Sequence, residues 1–318
     1  MPEYRIKHIT KYSYSTPVID SANQVMLFPI DDQQQNVKKH ELLISHSPQV
    51  EIFTDYFGNK VGIFSVIKPH AELTIQSIIE VITHPVQVPG NERPVTAQWE
   101  ELGIIREQFP YMDFMLIEHC DLADEISGAV ESTKTTDSTP FSLAELLSSF
   151  VYHNFEYKKG ITNVETKVDE IWKIKAGVCQ DFAHVLSMML RIAGIPARYV
   201  SGYICPKNHE LRGEGATHAW VEAYIPYYGW IGLDPTNNCI ASDRHVRLAV
   251  GRNFSDCTPV KGTYKGSSEH ILEVSVTIEN GEPRPQEDGL TPVFTYQVHN
   301  PSTPANSYRR FMEIQQQQ

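Results

Sequence analysis

The chain has 318 residues, 41% hydrophobic and 21% charged, the make-up of an ordinary globular protein long enough for two domains. Its 27 basic and 39 acidic residues give a formal net charge of −12, which disfavours nucleic acid or an anionic membrane as the main partner. The start, MPEYRIKHITKYSY, has no apolar run behind a basic opening, no segment approaches the ~20 apolar residues of a membrane span, and the five cysteines are an odd, scattered set, so a soluble cytoplasmic protein without a disulfide framework is expected.

Residues 3–85 read as β. Stretches 4–14, 41–45, 62–66 and 73–83 are rich in Ile, Val, Thr and aromatics, with turn signals such as Phe57-Gly58-Asn59 between them. Pro85, Pro89 and Pro94 mark a boundary loop. Helices are then expected over 99–108 and 116–130, with a polar surface loop at 131–139. Ser142-x-x-Glu145 reads as a capping box opening a helix to Phe155, with Leu143, Leu146, Leu147, Phe150 and Val151 on a core-facing stripe. A further helix follows Lys175-Ala-Gly-Val-Cys-Gln-Asp181, with Phe182, Val185, Leu186, Met189 and Leu190 on one face and Gly194 and Pro196 as stop signals. Residues 197–204 read as a strand and 206–217 as a polar loop. Residues 218–225 and 229–233 read as a hairpin and 271–278 as a last strand, before a proline-rich tail ending in glutamines.

Cys179 therefore falls at the N-terminus of a buried helix. There the helix dipole and unsatisfied N–H groups favour a thiolate and can stabilise an oxyanion beside it. Gly177 is expected to allow a tight turn before it. Taken singly, a cysteine is more often a small buried apolar residue. His218 opens the strand His-Ala-Trp-Val-Glu-Ala-Tyr224, and Asp234 closes Gly-Trp-Ile-Gly-Leu-Asp234. In one hairpin register Asp234 lies opposite Trp220, on the same sheet face as His218; the other register separates them. A carboxylate so placed would fix the imidazole tautomer and stabilise the imidazolium. Asp181 is expected to serve the helix dipole, Trp172 and His184 to pack, Trp220 and Tyr224 either to wall a cleft or to join the core, and the loop 206–217 to rim the site or merely to connect. No C-x-x-C, H-E-x-x-H or phosphate-binding glycine motif occurs, so neither a metal nor another cofactor is expected.

Four blocks together resemble the bacterial transglutaminase-like superfamily. They are Gly177-Val-Cys-Gln-Asp-Phe-Ala-His-Val-Leu186, Arg191-x-Ala-Gly-Ile-Pro-Ala-Arg-Tyr-Val-Ser-Gly-Tyr203, Thr217-His-Ala-Trp-Val-Glu-Ala-Tyr224 and Gly229-Trp-Ile-Gly-Leu-Asp-Pro-Thr236. Tyr4-x-Ile-x-His-x-Thr-x-Tyr-x-Tyr14 and Asp55-Tyr-Phe-Gly-Asn59 are similar to the β-rich region that precedes such domains, and 251–262 to the segment after the aspartate. The resemblance implies an α+β fold in which a helix bearing the cysteine packs on an antiparallel sheet. It implies a β-rich domain over 1–90 and a papain-like catalytic domain over 91–280; the tail over 281–318 lies outside it. It also implies Cys179 as nucleophile, His218 as general base and acid, and Asp234 as its orienter, in acyl transfer through a thioester on a protein or peptide substrate. Hydrolysis is the favoured outcome, as in a cysteine protease. Amine transfer from protein glutamine and a non-catalytic binding module are the alternatives, and the oligomeric state stays open.

Overall fold

The computed structural model describes residues 1–90, 93–163, 165–205, 212 and 217–280, with the backbone of 293–297. The chain opens with β1 (Glu3–Val25), β2 (Gln35–Ile44), β3 (Glu51–Thr54), β4 (Lys60–Val66) and β5 (His70–Thr83). Helices α1 (Val95–Ile105), α2 (Ala123–Thr133) and α3 (Pro140–Asn154) come next. Then follow β6 (Glu156–Tyr157), α4 (Val168–Ile174), β7 (Ala176–Gly177) and α5 (Cys179–Ile192). The last elements are β8 (Ala197–Ile204), β9 (Thr217–Ile225), β10 (Gly229–Asp234), β11 (Cys239–Ile240), β12 (His245–Gly251), β13 (Val260–Lys265), β14 (His270–Asn280) and β15 (Val293–Gln297).

Two sheets organise these elements. The first has eight strands centred on the long β1. The first half of β1 pairs with β5 and β14, the second half with β4 and β13, all antiparallel. Alternation along β1 places Tyr4, Ile6, His8, Thr10, Tyr12 and Tyr14 on its buried side, as successive side chains of a strand must face opposite ways. The second sheet has five antiparallel strands in the order β11-β10-β9-β8-β12. Residues 260–280 thus hydrogen-bond into the first sheet, beside the strands of residues 3–83.

Helix α5 is buried along nearly its whole length. Phe182, Val185, Leu186 and Met189 share a core with Ala219, Val221 and Ala223 on one face of β9. Trp220, on the alternate face, joins Val200, Ala241 and Val250 in a separate cluster that Ile30 and Phe57 of the first region cover. Gly202 stands opposite His218 in the β8–β9 ladder. A Cβ there would lie 2.1 Å from the Val246 carbonyl oxygen and 2.7 Å from Trp220, so the close approach of β12 requires glycine.

Several expected boundaries move. Helix α3 begins at Pro140, and its cap is Thr139, which accepts from the Ser142 N–H at 3.0 Å. Proline suits the first helical position, where its missing N–H has no intrahelical partner to lose, and this overrides the Ser142 capping box. Leu146 of its stripe is exposed at 43%. The expected helix over 116–130 starts only at Ala123, because Asp169 accepts the Leu122 N–H and the Cys120 thiol and holds the approach in a non-helical path. Helix α1 spans Val95–Ile105, not 99–108, and α4 and β12 were not foreseen. Within the expected loop at 131–139, Ser138 and Thr139 are buried. Of the loop 206–217, residues 206–211 and 213–216 lie outside the described residues, as does the tail except β15. All five cysteines are free, and among the described residues no helix is long and apolar enough to cross a membrane.

Candidate active site

Cys179 is the first residue of α5, and Val178 before it has no side-chain acceptor, so no side chain caps the first N–H groups of the helix. A stable helix start would ordinarily place Ser, Thr, Asp or Asn there. Here the first turn keeps donors available to an anion at the cysteine. Asp181 secures the turn from the other direction: its Oδ2 accepts from the Val178 N–H at 2.8 Å and from the Thr162 hydroxyl at 2.7 Å. Burial pushes its carboxyl up to about 6 against the pull of those two donors. A Cβ on Gly177 would lie 2.4 Å from Asp181 Oδ2. Glycine is needed at 177 for this close approach and not, as expected, for a tight turn; the left-handed residue is Lys175, at φ 52°.

The hairpin adopts the register that unites the other two residues. Ile225 pairs with Gly229 and Val221 with Leu233, which carries Asp234 to a position opposite Trp220. His218 Nε2 lies 2.8 Å from Asp234 Oδ2, with both side chains fully buried. The imidazole therefore donates from Nε2, which leaves Nδ1 without a hydrogen-bond partner among the described residues, and the Cys179 side chain lies near enough to the ring to interact with it. Burial works against a charged ring at 218, but the Asp234 carboxylate, by charge and by hydrogen bond, and then Cys179 raise its basicity well above that of a free histidine. Asp234 is held far below the usual carboxylate range: burial opposes ionisation, and His218 and His245 outweigh it.

Three further residues steady this carboxylate. Thr236 donates its N–H to Oδ1 at 2.9 Å, Asn237 donates its side-chain amide to Oδ2 at 2.8 Å, and His245 Nε2 lies 3.2 Å from the same Oδ2. The first two follow Asp234 in one turn, so an Asp-Pro-Thr-Asn reading could have found them. His245 carries no sequence signal, since it comes from the unforeseen β12. His218, Asp234 and His245 also place three potential metal donors within 4.8 Å of one another. The proton positions oppose ligation. The Ser242 N–H donates to His245 Nδ1 at 3.3 Å, so the neutral ring bears its proton on Nε2, aimed at Asp234, where a ligand would need a lone pair.

The other weighed residues resolve as packing. Trp172 donates its indole N–H to Glu125 at 2.7 Å, His184 accepts from the Phe254 N–H at 3.3 Å, Trp220 is core, and Tyr224 packs at an angle against Tyr111 and edge-on against Trp230. Gln180 is buried beside the cysteine, and its amide nitrogen has no hydrogen-bond partner among the described residues.

A cysteine-led helix against an antiparallel sheet bearing histidine and aspartate defines the papain-like, transglutaminase-like class of α+β folds. The profile of the transglutaminase-like superfamily matches residues 127–235, and that of the bacterial transglutaminase-like N-terminal region matches 4–82. An uncharacterised protein of Mycobacterium tuberculosis is 33% identical over 300 residues, covering 86% of this chain and 92% of its own. The chain belongs to the transglutaminase-like superfamily. A protein-glutamine gamma-glutamyltransferase of Pseudomonas aeruginosa is 37% identical over 122 residues, 36% of this chain and 17% of that protein. A Cytophaga hutchinsonii protein described as a candidate cysteine protease shares the fold, with a TM-score of 0.68 at 20% identity over 93% of this chain and 98% of that one.

Proposed function

We propose that this protein is a thiol enzyme that transfers the acyl group of a peptide or side-chain amide through a thioester on Cys179. The observation that carries the reading is the buried 2.8 Å contact of His218 Nε2 with Asp234, which leaves Nδ1 free beside a cysteine at an uncapped helix start.

The chemistry follows from that arrangement. Proton transfer from Cys179 to His218 Nδ1 gives a thiolate and an imidazolium, which Asp234 stabilises. The sulfur adds to the amide carbon, and the first-turn N–H groups of α5 stabilise the oxyanion. The intermediate collapses with loss of the amine, which takes the proton from His218. A second nucleophile then gives its proton to His218 and adds to the thioester, and the thiol is released. With water the products are a carboxylate and an amine; with a primary amine a new amide forms. Hydrolysis is the favoured outcome. Amine transfer is the second reading, supported by the likeness of 122 residues of this chain to the P. aeruginosa glutamyltransferase.

Iodoacetamide labelling across pH, with mass mapping of the modified cysteine, tests the reading. Cys179 is expected to react fastest of the five. His218→Ala is expected to slow it at least tenfold. Equal, slow labelling of all five cysteines would sink the proposal and favour a binding module. Glutamine-containing peptides incubated with a fluorescent primary amine then separate cleavage from amine incorporation.

A further inference from the structure

Asp234 Oδ2 receives more donors than a carboxylate that only orients one imidazole requires. His218 Nε2 stands at 2.8 Å, the Asn237 amide at 2.8 Å and His245 Nε2 at 3.2 Å. His245 is not a stray ring. Its side chain is 4% exposed, Trp220 packs edge-on against it at 5.1 Å, and its other nitrogen accepts the Ser242 N–H. That backbone bond has a consequence for charge. Protonating His245 would require breaking it inside a buried site, so the ring stays neutral and can serve Asp234 only as a donor. Burial, which lowers the basicity of His245 despite the neighbouring carboxylate, works in the same direction.

We propose that His245 is a positioning residue: as a neutral donor it fixes the Asp234 carboxylate against His218 and limits how strongly that carboxylate stabilises the His218 imidazolium. The inference rests on the roles given to Cys179 and His218 under Proposed function. A general acid that must return its proton to a leaving amine works best with a moderate pKa, and a carboxylate whose charge is shared among three donors holds an imidazolium less tightly than one bound to His218 alone. The charged and titratable groups facing this cluster are Cys179 from α5, Tyr157 from β6, Arg212, Cys239 from β11 and Arg244 beside β12. None of them donates a hydrogen bond to Asp234 Oδ2 in the way His245 does.

The test is the pH profile of Cys179 alkylation by iodoacetamide in the full chain, with wild type, His245→Phe and His245→Gln compared. Rates are normalised to the folded fraction from urea unfolding. The alkaline limb reports loss of the His218 proton. Phenylalanine keeps the packing on Trp220 but removes the donor, so the limb is expected to move to higher pH by at least half a unit. Glutamine retains an N–H and is expected to leave the limb within a few tenths of a unit of wild type. An unmoved or lowered limb in His245→Phe, or equal shifts in both variants, would overturn the proposal and leave His245 as packing. If His245→Phe does not fold, a displaced limb in His245→Gln alone overturns it, and a wild-type limb supports it. A wild-type profile that changes on adding zinc would overturn it too, because a ligating ring has the opposite tautomer. Failure of Cys179 to outpace the other cysteines in wild type is a separate result, and it strikes the thiol-enzyme reading itself.

Discussion

The two sheets are built from similar antiparallel hairpins, yet they treat polar residues differently. In the first, β1 and β5 alternate buried with exposed or half-buried positions, so the charged side chains reach water, while the buried polar ones such as His8, Thr10 and Ser77 are uncharged groups that pair within the protein. In the second, β8, β9 and β12 are buried on both faces: α5 covers one, and residues of the first region cover much of the other. Ile30 and Phe57 cap the Trp220 cluster, Asn59 exchanges two 2.8 Å hydrogen bonds with the backbone of Val250, and Asp32 and Gln35 bind Arg247. A doubly covered sheet leaves its polar residues no solvent, so each needs a protein partner. Glu222 finds Arg198 and Arg247, and Asp234 finds His218, His245 and Asn237. The candidate chemistry sits in the sheet where charge is dry, and the first region helps keep it so.

The sharpest test of this contrast sets two acids of the second sheet against each other. Asp234→Asn removes the charge that fixes His218, and the rate per folded molecule is expected to fall by up to ~10⁴-fold. Glu222→Gln, equally buried, is expected to lower the unfolding midpoint while leaving that rate within about twofold, since it lies further along β9 from His218 and, among the described residues, bonds only to Arg198 and Arg247. Comparable rate losses in both would erase the distinction between a site and a structural ion pair.

Next in size is the tie between the regions. Arg247→Met strips Glu222 of one partner and Asp32 of its only ion pair among the described residues. Breaking a buried pair from one side is expected to cost about 3–5 kcal/mol in urea unfolding. Wild type is expected to unfold in one transition by circular dichroism and by tryptophan fluorescence. Two separated transitions would show that the sheets do not depend on each other. Gly202→Ala, where a Cβ meets the Val246 carbonyl, is expected to cost about 1–3 kcal/mol by the same assay. A neutral result would mean that β12 can yield.

The smallest effect is on acid stability. Burial lowers His8, at the contact of the first sheet with Tyr203, and His184, under the second, each to about 4. A histidine with a depressed folded pKa contributes stability that is complete above its unfolded value of ~6.5 and is lost as pH falls through the folded one. Asp181 has the opposite sign: its raised pKa weakens the fold as pH climbs from ~3.9 towards 6. Two histidines outweigh one aspartate, so the urea midpoint is expected to drop between pH 7 and pH 5, by about 1–2 kcal/mol in stability. The double variant His8→Gln, His184→Gln should flatten that drop; an undiminished slope would locate the acid sensitivity elsewhere.

Much of the fold was legible. Alternation at Tyr4, Ile6, His8, Thr10, Tyr12 and Tyr14 specified which side of β1 is buried, and the apolar stripe from Phe182 to Leu190 specified α5, because both patterns are local and periodic. Cys179, His218 and Asp234 stood out through the blocks around them. The Ser142 capping box misled because Pro140 offered a better start two residues upstream. The β12 strand escaped notice because His-Val-Arg-Leu-Ala-Val-Gly251, buried on both faces, lacks the alternation of a half-solvated strand.

By itself the sequence singled out Cys179, His218 and Asp234 as candidates and marked the periodic segments such as β1 and α5, since side-chain chemistry and short-range periodicity belong to neighbouring residues. It left two hairpin registers open, one joining His218 to Asp234 and one parting them. The tertiary structure decided between them by pairing Val221 with Leu233, and it brought His245 to the same carboxylate from a strand across the sheet. The reason is that register and long-range approach depend on which faces find a partner to bury against, and no stretch of chain carries that information alone.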